Sequence, residues 1–255
     1  MLTNSHQCAL IKKVAIISLG FALTLMLGIS DVSAQKRFSK TYPAGKNITL
    51  RLINRSGTIE VRGWDRKQVR INASLERPAA RIVPRMLSGT IHINVLRDNK
   101  GRSGVGSTNF EIYVPYTSSI DIQTIIGNLQ VDNIQGGLVS ANITSEGDIT
   151  LTNIGAKNVS AENVRGNIFY DGIISKEGNY RLKSMRGIIS MRIPLNSQFK
   201  LVATAPSTRF ISLGSFSGGN LNYIGNGRRV LGKLGNGSAT INITNQFGKI
   251  RFLTR

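Results

Sequence analysis

The chain has 255 residues, room for one large or two modest domains, and a single cysteine with two histidines, which excludes a disulfide framework and a cysteine–histidine metal site. Its 33 Lys+Arg against 13 Asp+Glu give a formal net charge of +20. A surface of that sign draws polyanions by long-range steering, which points to acidic polysaccharide, anionic lipid headgroups or free nucleic acid.

Residues 1–34 read as a secretory signal peptide. Lys12 and Lys13 precede an uncharged apolar run over residues 14–29, 16 residues against the roughly 20 that span a bilayer as a helix. Val32-Ser33-Ala34 then sets small residues where a signal peptidase reads, so cleavage is expected between Ala34 and Gln35. An uncleaved anchor is the alternative. A lipoprotein fits less well, because Cys8 precedes the apolar run instead of following it. The exported chain would hold no cysteine, with 31 Lys+Arg and 12 Asp+Glu, a formal +19. It is expected in the periplasm, at the cell surface or secreted.

Residues 35–118 alternate with the period of strands and carry no sustained helical period. Asn47-Ile48-Thr49-Leu50-Arg51-Leu52, Thr58-Ile59-Glu60-Val61, Val69-Arg70-Ile71-Asn72-Ala73 and Ile91-His92-Ile93-Asn94-Val95 are such runs. Phe110-Glu111-Ile112-Tyr113-Val114 is another, closed by Pro115, which cannot donate to a ladder. Residues 77–88 and 97–108 read as loops.

A repeat sets in at about residue 120. Gly127, Gly147, Gly166 and Gly187 each stand ahead of a short apolar strand, at spacings of 20, 19 and 21 residues. Asn133, Asn153 and Gly172 follow the first three by six residues, at places suited to a left-handed turn. Val139 and Ala141 recur 20 residues on as Val159 and Ala161. A unit this short cannot bury its own apolar edge, but stacked units bury it continuously. The expected fold is therefore all-β, a single-chain β-solenoid or β-helix of about 20 residues per rung over residues 119–255. A less regular β region over residues 35–118 continues into it. The 61 residues from Gly187 to Gly248 leave room for about three further rungs. Ser56-Gly57-Thr58-Ile59 and Ser88-Gly89-Thr90-Ile91 show the same signature upstream, and Gly248-Lys249-Ile250 restores it at the end.

Charge divides the chain. Residues 35–118 carry +11, residues 119–180 have three Lys+Arg and seven Asp+Glu for −4, and residues 181–255 have twelve Lys+Arg and no acid for +12. If sequence order is spatial order, as in a solenoid, the C-terminal rungs form a basic section bearing Arg181, Lys183, Arg186 and Arg192. Those four are the candidate polyanion-binding residues. Self-association through the opposite charges of the acidic middle is a further expectation.

Catalytic chemistry finds little support. His92 alternates with Ile91 and Ile93, which turns it outward as a surface histidine. Glu146 and Asp148 flank Gly147 at a turn, and Asp121, Asp132, Glu162 and Asp171 are scattered over neighbouring rungs. A glycan-cleaving β-helix would need such carboxylates clustered for acid–base work or for calcium. Trp64 among Arg62, Arg66 and Lys67 is an aromatic with flanking cations, a combination that stacks on sugars or bases as well as packing. No catalytic residue, cofactor or metal is expected.

The stretch Asn54-Arg55-Ser56-Gly57-Thr58-Ile59-Glu60-Val61-Arg62-Gly63-Trp64-Asp65, the strand ending Ile112-Tyr113-Val114-Pro115, the Gly-led rungs and the closing Gly235-Asn236-Gly237 through Ile250 resemble the DUF4097 family of exported bacterial proteins, which includes candidate adhesins. The resemblance implies a β-solenoid, an envelope or extracellular location and no catalytic residues. The resulting expectation is a non-catalytic exported solenoid that binds or scaffolds, as an adhesin would, and contacts an anionic polysaccharide or the envelope surface. A polysaccharide-active β-helix enzyme, lyase or hydrolase, and a regulatory or structural partner of a membrane signalling protein are the alternatives. Specific nucleic-acid recognition is not expected.

Overall fold

The computed structural model describes residues 36–45, 47–218, 220–224 and 227–255. The expected signal peptide and its Ala34–Gln35 cleavage site lie outside them.

Two sheets face each other, and the chain crosses between them at nearly every step. The first sheet holds β1 (Lys36–Pro43), β3 (Ile59–Trp64), β4 (Gln68–Leu75), β7 (Thr108–Pro115), β9 (Leu129–Asp132), β11 (Ile149–Ile154), β13 (Ile168–Gly172), β15 (Ile188–Ile193), β17 (Ile211–Ser212) and β21 (Lys249–Thr254). The second holds β2 (Thr49–Ile53), β5 (Arg85–Leu87), β6 (Thr90–Asn94), β8 (Ser119–Ile126), β10 (Leu138–Glu146), β12 (Asn158–Arg165), β14 (Asn179–Arg186), β16 (Phe199–Thr204), β18 (Asn220–Ile224), β19 (Arg229–Leu234) and β20 (Ala239–Asn245). The fold is the all-β solenoid expected, with one strand of each rung in each sheet. Strands from before and after residue 119 share both sheets.

The alternation of the sequence is what permits this. Parallel register stacks like positions, so apolar residues line up in columns. One column in the second sheet runs Ile91, Leu50, Ile120, Val139, Val159, Tyr180, Ile241, Leu201. In the first sheet Val61, Val131, Leu151, Tyr170, Met191 and Phe252 do the same. All of these are buried between the sheets. At about 25 cal/mol per Å² of apolar surface, such columns are the main stabilising term of the fold. The interior holds Tyr170 edge-on to Tyr180, at 5.8 Å between ring centres. It closes on Phe199, Phe216 and Phe252, whose rings lie 6.1–6.2 Å apart.

A corner of the solenoid is built from glycine. Gly57, Gly127, Gly147, Gly166, Gly187 and Gly248 stack in one line, and a Cβ on each would strike backbone of the rung beside it. At Gly147 the obstacle is the carbonyl oxygen of Gly127, and φ is +151°. Inward polar side chains three residues earlier satisfy these crowded carbonyls. Asn163 Nδ2 donates to Gly147 O at 2.9 Å, and Asn245 Nδ2 to Gly187 O at 3.0 Å. At the opposite corner Asn133 and Asn153 adopt the left-handed turn expected, with φ of 56° and 52°. Gly172 does not; it is glycine because a Cβ would meet the Ile154 carbonyl.

Four further expectations are corrected. Gly89 is outside the glycine line: with Ser88 it makes a left-handed hairpin turn between antiparallel β5 and β6. Residues 77–88 are not all loop, since β5 lies within them, and a helical turn at Val95–Asp98 opens the second loop region. The stretch between Gly187 and Gly248 holds one rung, β16/β17, and an antiparallel hairpin, β18/β19, not three rungs. Most consequentially, spatial order departs from sequence order at both ends. β2/β3 precedes β6/β7 in the chain yet lies inside it, between β6/β7 and β8/β9. β20/β21 follows β16/β17 yet lies inside it, against β14/β15. Antiparallel strands then cover the outermost strands at three of the four sheet edges: β4 and β1 beyond β7, β5 beyond β6, β19 and β18 beyond β16, while β17 itself ends the first sheet. A bare terminal rung would leave unpaired backbone and an open core, which these strands close.

Candidate functional site

The acid-free C-terminal segment builds a basic surface, though not from the four residues expected. Arg181 and Lys183 alternate with buried Tyr180 and Leu182 on β14, so both project outward from the second sheet. Insertion of β20 next to β14 places Asn242 beside Arg181 and Thr244 beside Lys183. β16 then brings Lys200, and β19 brings Lys233 opposite Lys200 and Arg229 opposite Thr204. Strands lie about 4.8 Å apart and same-face residues about 7 Å apart along each, so Arg181, Lys183, Lys200, Arg229 and Lys233 share one lattice-like face. Among the described residues only Lys183 has a carboxylate near it, Glu162 at 3.9 Å, in a pair exposed enough to contribute little.

Arg192 is elsewhere. It lies on β15 in the other sheet, donates to Asp171 Oδ2 at 2.6 Å, and shares that buried carboxylate with Arg255 at 3.4 Å. Arg186 ends β14 at the glycine corner, in register with Arg165. Two of the four nominated residues therefore meet on one face. Lys200, Arg229 and Lys233 escaped notice because they fall where the repeat is degenerate; only their acid-free context marked them.

The nominated carboxylates do not gather. Asp121 pairs with Arg51 on the second sheet at 2.8 Å. Asp132 accepts from Thr152 and Asn153 on the first. Asp148 accepts from the backbone N–H of Asn167 at 2.6 Å, as Asn128 does from that of Asp148 at 3.0 Å and Asn167 from that of Ile188 at 2.9 Å. That side-chain ladder tracks the glycine corner and fixes rung spacing. Among the described residues no group of three His, Cys, Asp or Glu could hold a metal ion.

A different pair does meet. Glu60 and Glu111 are register partners on β3 and β7 and line a cleft of about 680 Å³ with Ser39, Asn72 and Asn109. The Tyr113 hydroxyl donates to Glu111 at 2.7 Å, and Asn72 adds a bond at 3.3 Å. Those bonds, Tyr113 foremost, hold the Glu111 carboxyl below the usual carboxylate range, while Glu60 receives Arg62 at 2.9 Å. Glu111 is thus a carboxylate accepting a bond on each oxygen with its pKa lowered, the opposite of a general acid, whose pKa must be raised. The pair went unseen because 51 residues separate its members; the signal was that Thr58-Ile59-Glu60-Val61 and Asn109-Phe110-Glu111-Ile112 are the same strand phrase.

Trp64 is used in packing. Its ring stacks on Tyr113 at 5.2 Å, Arg66 and Arg70 lie over it at 5.2 and 5.4 Å, and its N–H donates to Gln68 O at 2.8 Å. His92 projects from the second sheet, half-buried, and burial together with Arg97 and Arg51 pushes its pKa down.

Residues 46–204, more than half of the chain, match the model of the family described as Toastrack DUF4097. Among curated proteins none matches significantly. Similar solved structures include a candidate cell adhesion protein from Clostridium sporogenes ATCC 15579, at 13% identity over 87% of this chain and 100% of that one with a TM-score of 0.47. A candidate adhesin from Bacteroides fragilis NCTC 9343 aligns at 10% identity over 86% and 98%, with a TM-score of 0.43.

Proposed function

This chain belongs to the Toastrack DUF4097 family, and we propose that it is a non-catalytic, exported β-solenoid that binds an anionic polymer of the cell envelope through the outer face of its second sheet. The observation that carries this reading is the juxtaposition of Arg181 and Lys183 with Lys200, Arg229 and Lys233 on neighbouring strands, in a segment of twelve basic residues and no acid. A repeating polyanion presents charges at regular intervals, and cations on a strand lattice meet them without any pocket. The intervening Thr240, Asn242, Thr244 and Thr204 supply neutral hydrogen-bonding groups between the cations. Because the face is exposed, its attraction is screened by salt. The nominated carboxylates do not gather into an acid–base pair, which favours binding over cleavage: Asp121 is held by Arg51, Asp132 by Thr152 and Asn153, and Asp171 by Arg192.

Retention on immobilised dextran sulfate tests the reading. The purified protein should elute at high salt, and Arg181→Glu, Lys183→Glu, Lys200→Glu and Lys233→Glu combined should elute near the void, with an unchanged melting temperature. Retention unaltered by the four reversals would remove the basic face from consideration. Depolymerisation of an acidic polysaccharide by the purified protein would replace the binding role with a catalytic one.

A further inference from the structure

The glycine line ends in a second feature, independent of the basic face. Gly187 and Gly248 must lack side chains because their rungs pack backbone to backbone, a Cβ on Gly248 striking the Gly187 carbonyl. The corner is therefore bare, and the segment after β16 folds back over it. Ile188, Pro206, Phe210 and Phe247 wall a pocket of about 300 Å³ above these two glycines, and Lys249 stands at its rim. Phe247 is 65% exposed, the most exposed aromatic ring among the described residues. An aromatic ring left in water beside an apolar pocket marks a contact surface. One cation, Lys249, lines the pocket; Arg209 lies 5.1 Å over the Phe210 ring, Arg186 directly precedes Gly187, and no acid occurs from residue 181 to 255.

We infer that this pocket binds the end of an acyl chain of an anionic lipid, with the chain between Phe247, Phe210 and Ile188 and the negative head against Lys249 and Arg209. The volume sits at the lower end of ligand pockets, enough for part of one chain and too small for a whole lipid. The charge selects the class: the same walls with an acidic rim would suit a cationic amphiphile. Both features lie on the acid-free end of the solenoid, so a lipid held at the corner and a polymer along the second sheet could belong to one anionic surface, but neither contact needs the other.

Dodecanoate below its micellar range, titrated into the purified protein by calorimetry, is the probe. One saturable site is expected. Phe247→Ser with Phe210→Ala should weaken it roughly tenfold to a hundredfold, the loss of about two buried aromatic contacts. Lys249→Glu should weaken dodecanoate and leave dodecanol unchanged. Phe247→Trp should fold normally, since the position is exposed, and its emission should shift to the blue on adding dodecanoate. The four reversals on the second sheet should leave the affinity as it was, which separates this site from the polymer face. Equal dodecanoate binding by the Phe247→Ser, Phe210→Ala protein, no blue shift with Phe247→Trp, or tighter binding of dodecyltrimethylammonium than of dodecanoate would each overturn the assignment.

Discussion

The middle of the solenoid and its two ends obey different rules. From β8 to β15 the chain climbs one rung at a time, sequence order is spatial order, and every corner repeats a glycine or an asparagine at the same place. At each end a rung earlier or later in the chain encloses the one that sequence order would leave outermost: β6/β7 lies outside β2/β3, and β16/β17 outside β20/β21. The middle is held by repetition and the ends by interlock. The terminal rung nearest each chain end, β2/β3 or β20/β21, is enclosed on both sides, so neither can peel away without breaking two sets of ladders. The interlock also assembles the surface of interest, because β20 fits between β14 and β16 and aligns their cations.

The glycine corner is where the middle should be least tolerant. Gly147→Val should cost on the order of 4 kcal/mol and unfold much of the protein at room temperature, from a backbone collision and a strained φ together. Gly89→Ala, where a Cβ meets nothing within 4 Å, should cost only about 1 kcal/mol for its left-handed φ. Comparable melting temperatures for the two variants would break the distinction between glycine line and hairpin turn.

Asn163→Ala and Asn245→Ala sharpen the comparison at the next level. Each leaves a glycine carbonyl without its inward donor, one in the regular middle and one in the enclosed rung. A loss of about 1–3 kcal/mol is expected for each by chemical denaturation. Asn245 should be the costlier, since it also donates to Lys249 O at 3.1 Å. A larger loss at Asn163 would show that the enclosed rung depends less on its corner than the middle does.

The smallest effect concerns pH at the N-terminal end. Glu111 titrates lower in the folded chain than its ordinary value of 4.5, chiefly through the Tyr113 hydroxyl. The stability it contributes is therefore complete above pH 4.5 and is lost as pH falls through the folded value. Tyr113→Phe should move the Glu111 titration, followed by carboxyl NMR, upward toward 4.5. No movement would remove that hydroxyl as the cause.

The regular middle was largely legible because three independent signals coincide there: glycine before each strand, left-handed asparagine after it, and a recurrent Val-x-Ala. The ends were not. β2 and β6 alternate identically, and nothing in Leu50-Arg51-Leu52 or Ile91-His92-Ile93 says which lies outermost, since strand patterning encodes which face is buried and not which neighbour is chosen. Ser88-Gly89-Thr90-Ile91 imitates the rung signature because hairpins and solenoid corners both need a left-handed residue. The site inherited this limit. Arg181 and Lys183 were readable as outward cations on one strand, whereas Lys200, Arg229 and Lys233 join them only through the interlock. Arg192 looked equivalent until its strand proved to lie in the opposite sheet, bound to Asp171.

Whether β20 truly separates β14 from β16 is best tested by cross-linking, with Cys8 replaced by Ser. Arg181 and Asn242 are outward register partners on adjacent strands, within the Cα separation that a disulfide spans, whereas Val202 lies one strand further, about 10 Å from Arg181. Oxidation should close a disulfide in the Arg181→Cys, Asn242→Cys protein and none in the Arg181→Cys, Val202→Cys protein. The reverse outcome would mean that the rungs follow sequence order, and that the basic face is not assembled as described.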